Sequence, residues 1–269
     1  MKSNFIFCIF ILICGIYACK KTNDNYIAKS KNHKIAKPYF RFNNVDGALI
    51  LSNASINNWL VYTDPFSGLT KDTLISYTND EIFGFFPGST EASYFDVGNV
   101  AYNDHKVYQG SDFSYLLEAH LDSFNFITTS TFTSSWNVQG GLIPGFTDIY
   151  LSNNFPSTFT FPIDSVISKS GGYSINLTTT GTGTIINPDS IVYMIYDRLN
   201  PSTNIFKVTS GSTNTCNFSS SDLSMFTSGN VIAIDVIGYN FRHEVKSGTL
   251  DIYFINQRKF SNQVLTIRS

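Results

Sequence analysis

The sequence predicts an all-β protein built as two β-sandwich domains, and three observations carry that expectation. Charged residues are only 14 % of the 269-residue chain, while Phe (24) and Tyr (15) are abundant. That balance suits half-buried pleated surfaces rather than disorder. Short runs of β-formers recur between turn residues such as Asn44-Val45-Asp46-Gly47, Asp64-Pro65, Pro87-Gly88 and Gly140-Gly141. No stretch keeps a helical period long enough for a bundle.

Taken in order, the first eleven strands are expected at 38–43, 47–52, 58–63, 73–78, 82–86, 92–97, 99–103, 113–119, 123–128, 133–138 and 145–151. Residues 113–121 are also compatible with one or two helical turns. A boundary falls at Ser152-Asn153-Asn154-Phe155-Pro156, where a strand ends in polar residues and Pro156 opens a new extended segment. This gives an N-terminal domain over 38–153 and a C-terminal domain over 154–269. The second domain's strands are expected at 158–167, 172–178, 189–197, 204–209, 213–218, 230–239, 249–257 and 262–268. In the run 230–239, Ile232, Ile234 and Val236 alternate with Val231, Ala233 and Ile237, so both faces are apolar and the strand should be central. Asp235 within it needs a partner or an edge position. Ser220-Ser221-Asp222-Leu223-Ser224-Met225-Phe226 reads as a short capped turn of helix before the Gly229-Asn230 turn.

At the N-terminus, Lys2 precedes an apolar run from Phe5 to Tyr17 that is too short for the roughly 20 helical residues a bilayer requires. Residues 1–18 are therefore expected to be an export signal. Ile16-Tyr17-Ala18-Cys19 resembles the lipobox of bacterial lipoproteins. The resemblance implies recognition of Ile16 and Ala18 by the lipoprotein signal peptidase, cleavage before Cys19, and acylation of Cys19 with a thioether-linked diacylglyceryl group and a further acyl chain such as palmitate. The alternative is an ordinary signal cut after Ala18. Lys20-Lys21 after the cysteine favours the outer membrane of the cell envelope, with the lipid bilayer as partner.

A basic tether follows over 19–37. From Lys20 to Arg41 there are seven basic residues against the single acid Asp24, whereas residues from 42 onward hold ten basic and nineteen acidic ones. A basic stalk of this kind attracts anionic headgroups or glycans, or serves simply as a solvated spacer. An acidic body excludes nucleic acid as the expected partner. With Cys8 and Cys14 in the signal and Cys19 acylated, Cys216 is left without an internal disulfide partner and is expected as a small buried hydrophobe.

The capped turn ahead of a buried strand resembles the corresponding corner of fibronectin type III and immunoglobulin-like sandwiches, which implies that architecture for the C-terminal domain. Together with Trp136-Asn137-Val138, Phe155-Pro156, Ser221-Asp222-Leu223 and Tyr253-Phe254-Ile255-Asn256, the pattern is similar to two-domain lipoproteins of Gram-negative bacteria, a resemblance that implies no particular activity.

Catalytic signatures are thin. His33, His105, His120 and His243 show no metal-ligand spacing, and His243-Glu244 lacks the second histidine of a zinc-protease helix. There is no nucleophile elbow and no phosphate loop. No cofactor and no metal are expected; Asp46 with Asn44, and Asp104 with Asp112, read as turn chemistry rather than calcium ligands. Glu118, His120 and Asp122 are the set a hydrolase would use. Trp59 after Asn57-Asn58 is the candidate ligand contact, a ring to stack on a sugar beside amides for its hydroxyls, with burial between sheets as the competing reading. The expected function is a non-catalytic binding or adhesion module for glycan or protein. A structural accessory subunit of an envelope complex is the alternative, and a hydrolase a remote one.

Overall fold

The computed structural model describes residues 45–63, 70–87, 94–111, 114–120, 132–152, 155–162, 164, 166–180 and 187–268. Ile16, Ala18, Cys19, the tether and the expected strands 38–43 and 123–128 lie outside them.

The described chain is all-β. Its strands are β1 (Gly47–Thr63), β2 (Thr70–Phe85), β3 (Val100–Tyr102), β4 (His105–Gln109), β5 (Tyr115–His120), β6 (Phe132–Val138), β7 (Phe146–Ser152) and β8 (Thr158–Thr160). They continue with β9 (Val166–Ser168), β10 (Tyr173–Asn176), β11 (Thr178–Thr180), β12 (Ser190–Asp197), β13 (Asn204–Ser210), β14 (Thr215–Phe218), β15 (Val231–Lys246) and β16 (Leu250–Arg268), with one helical turn, α1 (Ser220–Leu223).

Several strands are longer than the sequence suggests. The segments 47–52 and 58–63 join in β1 because Asn53 is a cross-strand partner rather than a turn residue. Its amide donates to Asp80 Oδ1 at 2.8 Å, and Arg258 Nη1 donates to its carbonyl oxygen at 2.9 Å. For the same reason 73–78 and 82–86 form one strand, β2, and 249–257 and 262–268 form one strand, β16. In the other direction, the expected strand 158–167 splits into β8 and β9 around Pro162, and within 92–97 the described residues 94–97 hold a single bridge, from Tyr94 to Pro87. Residues 115–120 are strand, not helical turn.

One sheet carries twelve of these strands, in the order β13-β12-β15-β16-β1-β2-β5-β4-β3-β6-β7, with β9 pairing β16 off the path. Its neighbours are antiparallel except β1 with β16 and β16 with β9. Two small sheets, β10-β14 and β8-β11, stand apart. Apolar side chains gather in two clusters. The first holds Leu49, Ile82, Phe86, Tyr102, Tyr115 and Trp136 with Leu250, Ile252 and Phe254; the second holds Phe159, Ile175, Phe218, Tyr193, Ile232, Ile234 and Val236. The β15–β16 hairpin thus feeds both, and on β16 Arg258 Nε donates to Pro156 O at 2.7 Å.

Turn chemistry sets the hairpins. Asn103 (φ 45°) and Asp104 (φ 66°) form the two-residue loop between β3 and β4, a left-handed pair that Asn and Asp tolerate. Ser247 (φ 49°) and Gly248 (φ 79°) are a second left-handed pair, in the three-residue loop between Lys246 and Leu250, where Thr249 N–H donates to Lys246 O at 3.2 Å. The helical turn α1 carries a capping box: Ser219 Oγ accepts from Asp222 N–H, and Asp222 Oδ2 accepts from Ser219 N–H. Lys207, bonded to Asp222 at 2.6 Å, together with the cap, lowers the Asp222 carboxyl to about 2. Cys216 is buried, and that burial pushes its thiol up to about 11, so it is no nucleophile at neutral pH.

Candidate functional site

Beyond Tyr239, strand β15 leaves its partner β12 and runs on as a hairpin with β16 alone. Strand alternation then gives its two faces different chemistry. Asn240, Arg242, Glu244 and Lys246 lie on one face; Phe241, His243 and Val245 lie on the other.

The first face is a latch against β7. Asp148, its side chain 3 % exposed, accepts from Arg242 Nη2 at 2.6 Å, from Arg242 Nη1 at 3.4 Å and from Lys246 Nζ at 2.6 Å. Glu244 closes the network, pairing with Arg242 and, at 2.5 Å, with Lys246. The guanidinium is held between aromatic faces, 4.1 Å from the Tyr150 ring centre and 4.3 Å from that of Phe254. Ser247 Oγ also donates to Gly145 O at 2.9 Å. What space remains beside Trp136, Tyr150 and Arg242 is a cavity of about 20 Å³, room for roughly one water. Paired charges and so small a void make this face a structural rivet, not a ligand pocket.

The opposite face presents rings to solvent. Tyr239 and Phe241 lie 6.4 Å apart, Phe241 and Tyr253 5.8 Å, and His243 stacks on Tyr253 at 4.6 Å with 21° between planes. Phe241 is 44 % exposed and Val245 57 %, whereas Tyr239 is buried and anchors the row to the sheet. His243 Nε2 sits 3.3 Å from Asp251 Oδ1 at the rim. A row of rings in which Phe241 and His243 are exposed and Tyr253 is half-buried, fixed on a rivetted hairpin, is the kind of surface that marks a partner.

Other candidate residues fall elsewhere. Asn57, Asn58 and Trp59 are in mid-strand on β1, opposite Ser76, Ile75 and Leu74 of β2, so Trp59 is not on a loop. The side chains of Asn58 and Trp59 lie outside the described residues. Glu118 pairs in register with Glu81 and His120 with Asn79; Asp122 and the side chains of Glu118 and His120 lie outside the described residues. His105 follows the tip of the β3–β4 turn. Asp46 brackets the backbone of Asp251, its N–H donating to Asp251 O at 2.9 Å and its Oδ2 accepting from Asp251 N–H at 2.8 Å. Among the described residues no three His, Cys, Asp or Glu side chains are grouped to hold a metal, and no helix is long and apolar enough to cross a membrane. Zinc-motif spacing around His243-Glu244 carries no trace of the aromatic row. Its signal is the alternation itself, Tyr239, Phe241, His243 and Val245 against Asn240, Arg242, Glu244 and Lys246.

Compared with known proteins, the chain matches no protein family and no curated protein.

Proposed function

We propose that this chain is an envelope lipoprotein, anchored in the outer membrane through acylated Cys19, whose β body binds a saccharide without transforming it. The observation that carries the reading is the row of exposed Phe241, half-buried Tyr253 and exposed His243, backed by the Asp148–Arg242–Lys246 rivet. Aromatic faces remove the apolar face of a sugar ring from water, while Asp251 and His243 supply hydrogen-bonding groups at the rim. A rigid strand pair loses little freedom on binding, which favours affinity.

Phe241→Ala is expected to weaken binding of neutral soluble oligosaccharides about tenfold, the equivalent of roughly 1.4 kcal/mol, with folding stability almost unchanged because the ring is exposed. Calorimetric titration of the wild-type and variant chains checks this, and equal affinities would remove the aromatic row from the binding surface. For the anchor, Cys19→Ser is expected to move the chain from the membrane fraction to the soluble fraction, since a chain without acyl groups has no comparable hold on lipid. Unchanged fractionation would refute lipid attachment at that residue.

The accessory-subunit reading has one observation in its favour. Phe206 (47 % exposed) and Val208 (52 % exposed) sit on β13, at the end of the large sheet, where a protein partner would cover them.

A further inference from the structure

The end of the β15–β16 hairpin away from the aromatic row has a chemistry of its own. There the end of β12, the start of β15 and the end of β16 lie side by side, because β15 runs antiparallel to both neighbours, with Asp197 opposite Ile232 and Val231 opposite Thr266. Backbone bonds tie the surrounding turns into one surface. Arg198 N–H donates to Val231 O at 3.1 Å, Gly229 N–H to Ile267 O at 2.8 Å and Lys169 N–H to Arg268 O at 2.8 Å. Lys169 Nζ donates to Phe226 O at 2.7 Å.

Three cations thus converge from segments distant in sequence: Lys169 after β9, Arg198 after β12 and Arg268 at the end of β16. Arg198 and Arg268 are exposed and Lys169 is half-buried. Elsewhere the body matches its cations to acids, Lys207 to Asp222, Arg242 and Lys246 to Asp148, and Lys259 to Asp235. Among the described residues no acid forms an ion pair with Lys169, Arg198 or Arg268. Asp197, the acid of this end, is 4 % exposed and turned inward, accepting from the N–H groups of Leu199 and Asn200 and from Asn230 Nδ2. Apolar side chains stand beside the cations. Leu199, on the turn that Asp197 holds, is 86 % exposed, and Met225, next to the Phe226 carbonyl that receives Lys169, is 51 % exposed.

Nineteen acids against ten bases from residue 42 onward make this end a local reversal of the body's charge. A soluble polyanion or an acidic protein would meet the cations but leave Leu199 in water. A membrane interface takes both, headgroup phosphates receiving the cations and the acyl boundary receiving the apolar tips. We propose that this end docks on an anionic lipid surface, with Lys169, Arg198 and Arg268 against the headgroups and Leu199 and Met225 at the acyl boundary. Phe241 lies ten residues beyond Val231 on β15. That is roughly 33 Å along the strand at about 3.3 Å per residue, so docking turns the aromatic row away from the bilayer. The inference builds on the membrane-anchored reading, to which it adds an orientation, and does not depend on the saccharide.

The test reconstitutes the full chain into vesicles of equal parts phosphatidylglycerol and phosphatidylcholine and compares a fluorescent thiol label at Leu199→Cys with one at Val245→Cys. With Cys19 acylated and Cys216 buried, each variant offers one accessible thiol. Quenching by nitroxide-bearing lipids is expected to be about fivefold stronger at Leu199→Cys. It should fall about fivefold when Arg198→Glu and Arg268→Glu are added, and in vesicles of phosphatidylcholine alone, since each cation near an anionic surface contributes about that factor. Both arginines are exposed, so the fold tolerates the change. Equal quenching at the two positions, or quenching indifferent to charge reversal or to lipid charge, overturns the docking. A chain that stays out of the vesicles sinks the anchor instead. The Cys19→Ser chain added from outside then tests the surface alone, its sedimentation with anionic vesicles expected to weaken about fivefold on Leu199→Asn; equal sedimentation overturns the proposal. Capture by a soluble acidic polysaccharide in preference to anionic vesicles, unchanged by Leu199→Asn, overturns it in favour of a polyanion.

Discussion

Asp148→Ala is expected to cost the fold about 3 kcal/mol or more, the usual price of breaking a buried ion pair from one side. Asp148 is 3 % exposed and is the buried acid placed between Arg242 and Lys246, whose side chains are 19 % and 16 % exposed. Without it both cations depend on Glu244, which is 35 % exposed and already paired with each. The position magnifies the loss. Among the described residues no backbone ladder joins β7 to the far half of β15, so this network and the Ser247 to Gly145 bond hold the two together. Urea denaturation should show a lower midpoint, and hydrogen exchange should quicken first in Phe146–Ser152. A shift under about 1 kcal/mol would mean that the network behaves like an ordinary surface pair and does not rivet the hairpin. Asp148→Asn should fall between the two, because the amide can still accept one bond from Arg242 but supplies no charge.

Some of this could be seen in the residues themselves. Low charge with many aromatics announced the all-β class, and Asp235, stranded in an apolar run, demanded the partner that Ser261 and Lys259 provide. What local patterns could not show is pairing between distant segments. Asn53 and Asp80 look like turn residues until β2 and β16 are laid beside β1, when they become a polar ladder ending on Arg258, 205 residues away from Asn53. The parallel pairing of β1 with β16 has no local signature at all, since nothing in either strand names its neighbour. The candidate site was hidden for the same reason. Phe241 and Tyr253 become a surface only through the β15–β16 register. Trp59 attracted attention as a rare residue near amides, but rarity says nothing about which side of a sheet a residue faces.

Lys259→Met is expected to destabilise the chain by about 3 kcal/mol, because it leaves the Asp235 carboxylate, 2 % exposed, with Ser261 as its remaining bonded partner. The partly exposed ammonium places the loss toward the lower end of the range for buried pairs. The charge, not the volume, is responsible, since Met keeps most of the lysine stem. The decisive comparison is therefore the double variant Asp235→Leu with Lys259→Met. Replacing both partners by apolar groups removes the uncompensated charge, and Ala233, Ile237, Val192 and Met194 already make the surroundings apolar. Its stability should return to within about 1 kcal/mol of wild type, giving a strongly favourable coupling in the double-mutant cycle. If the double variant instead loses the sum of the single effects, the coupling is zero and each residue stabilises the fold independently of the other. If stability returns, folding alone is served as well by two hydrophobic side chains at these positions.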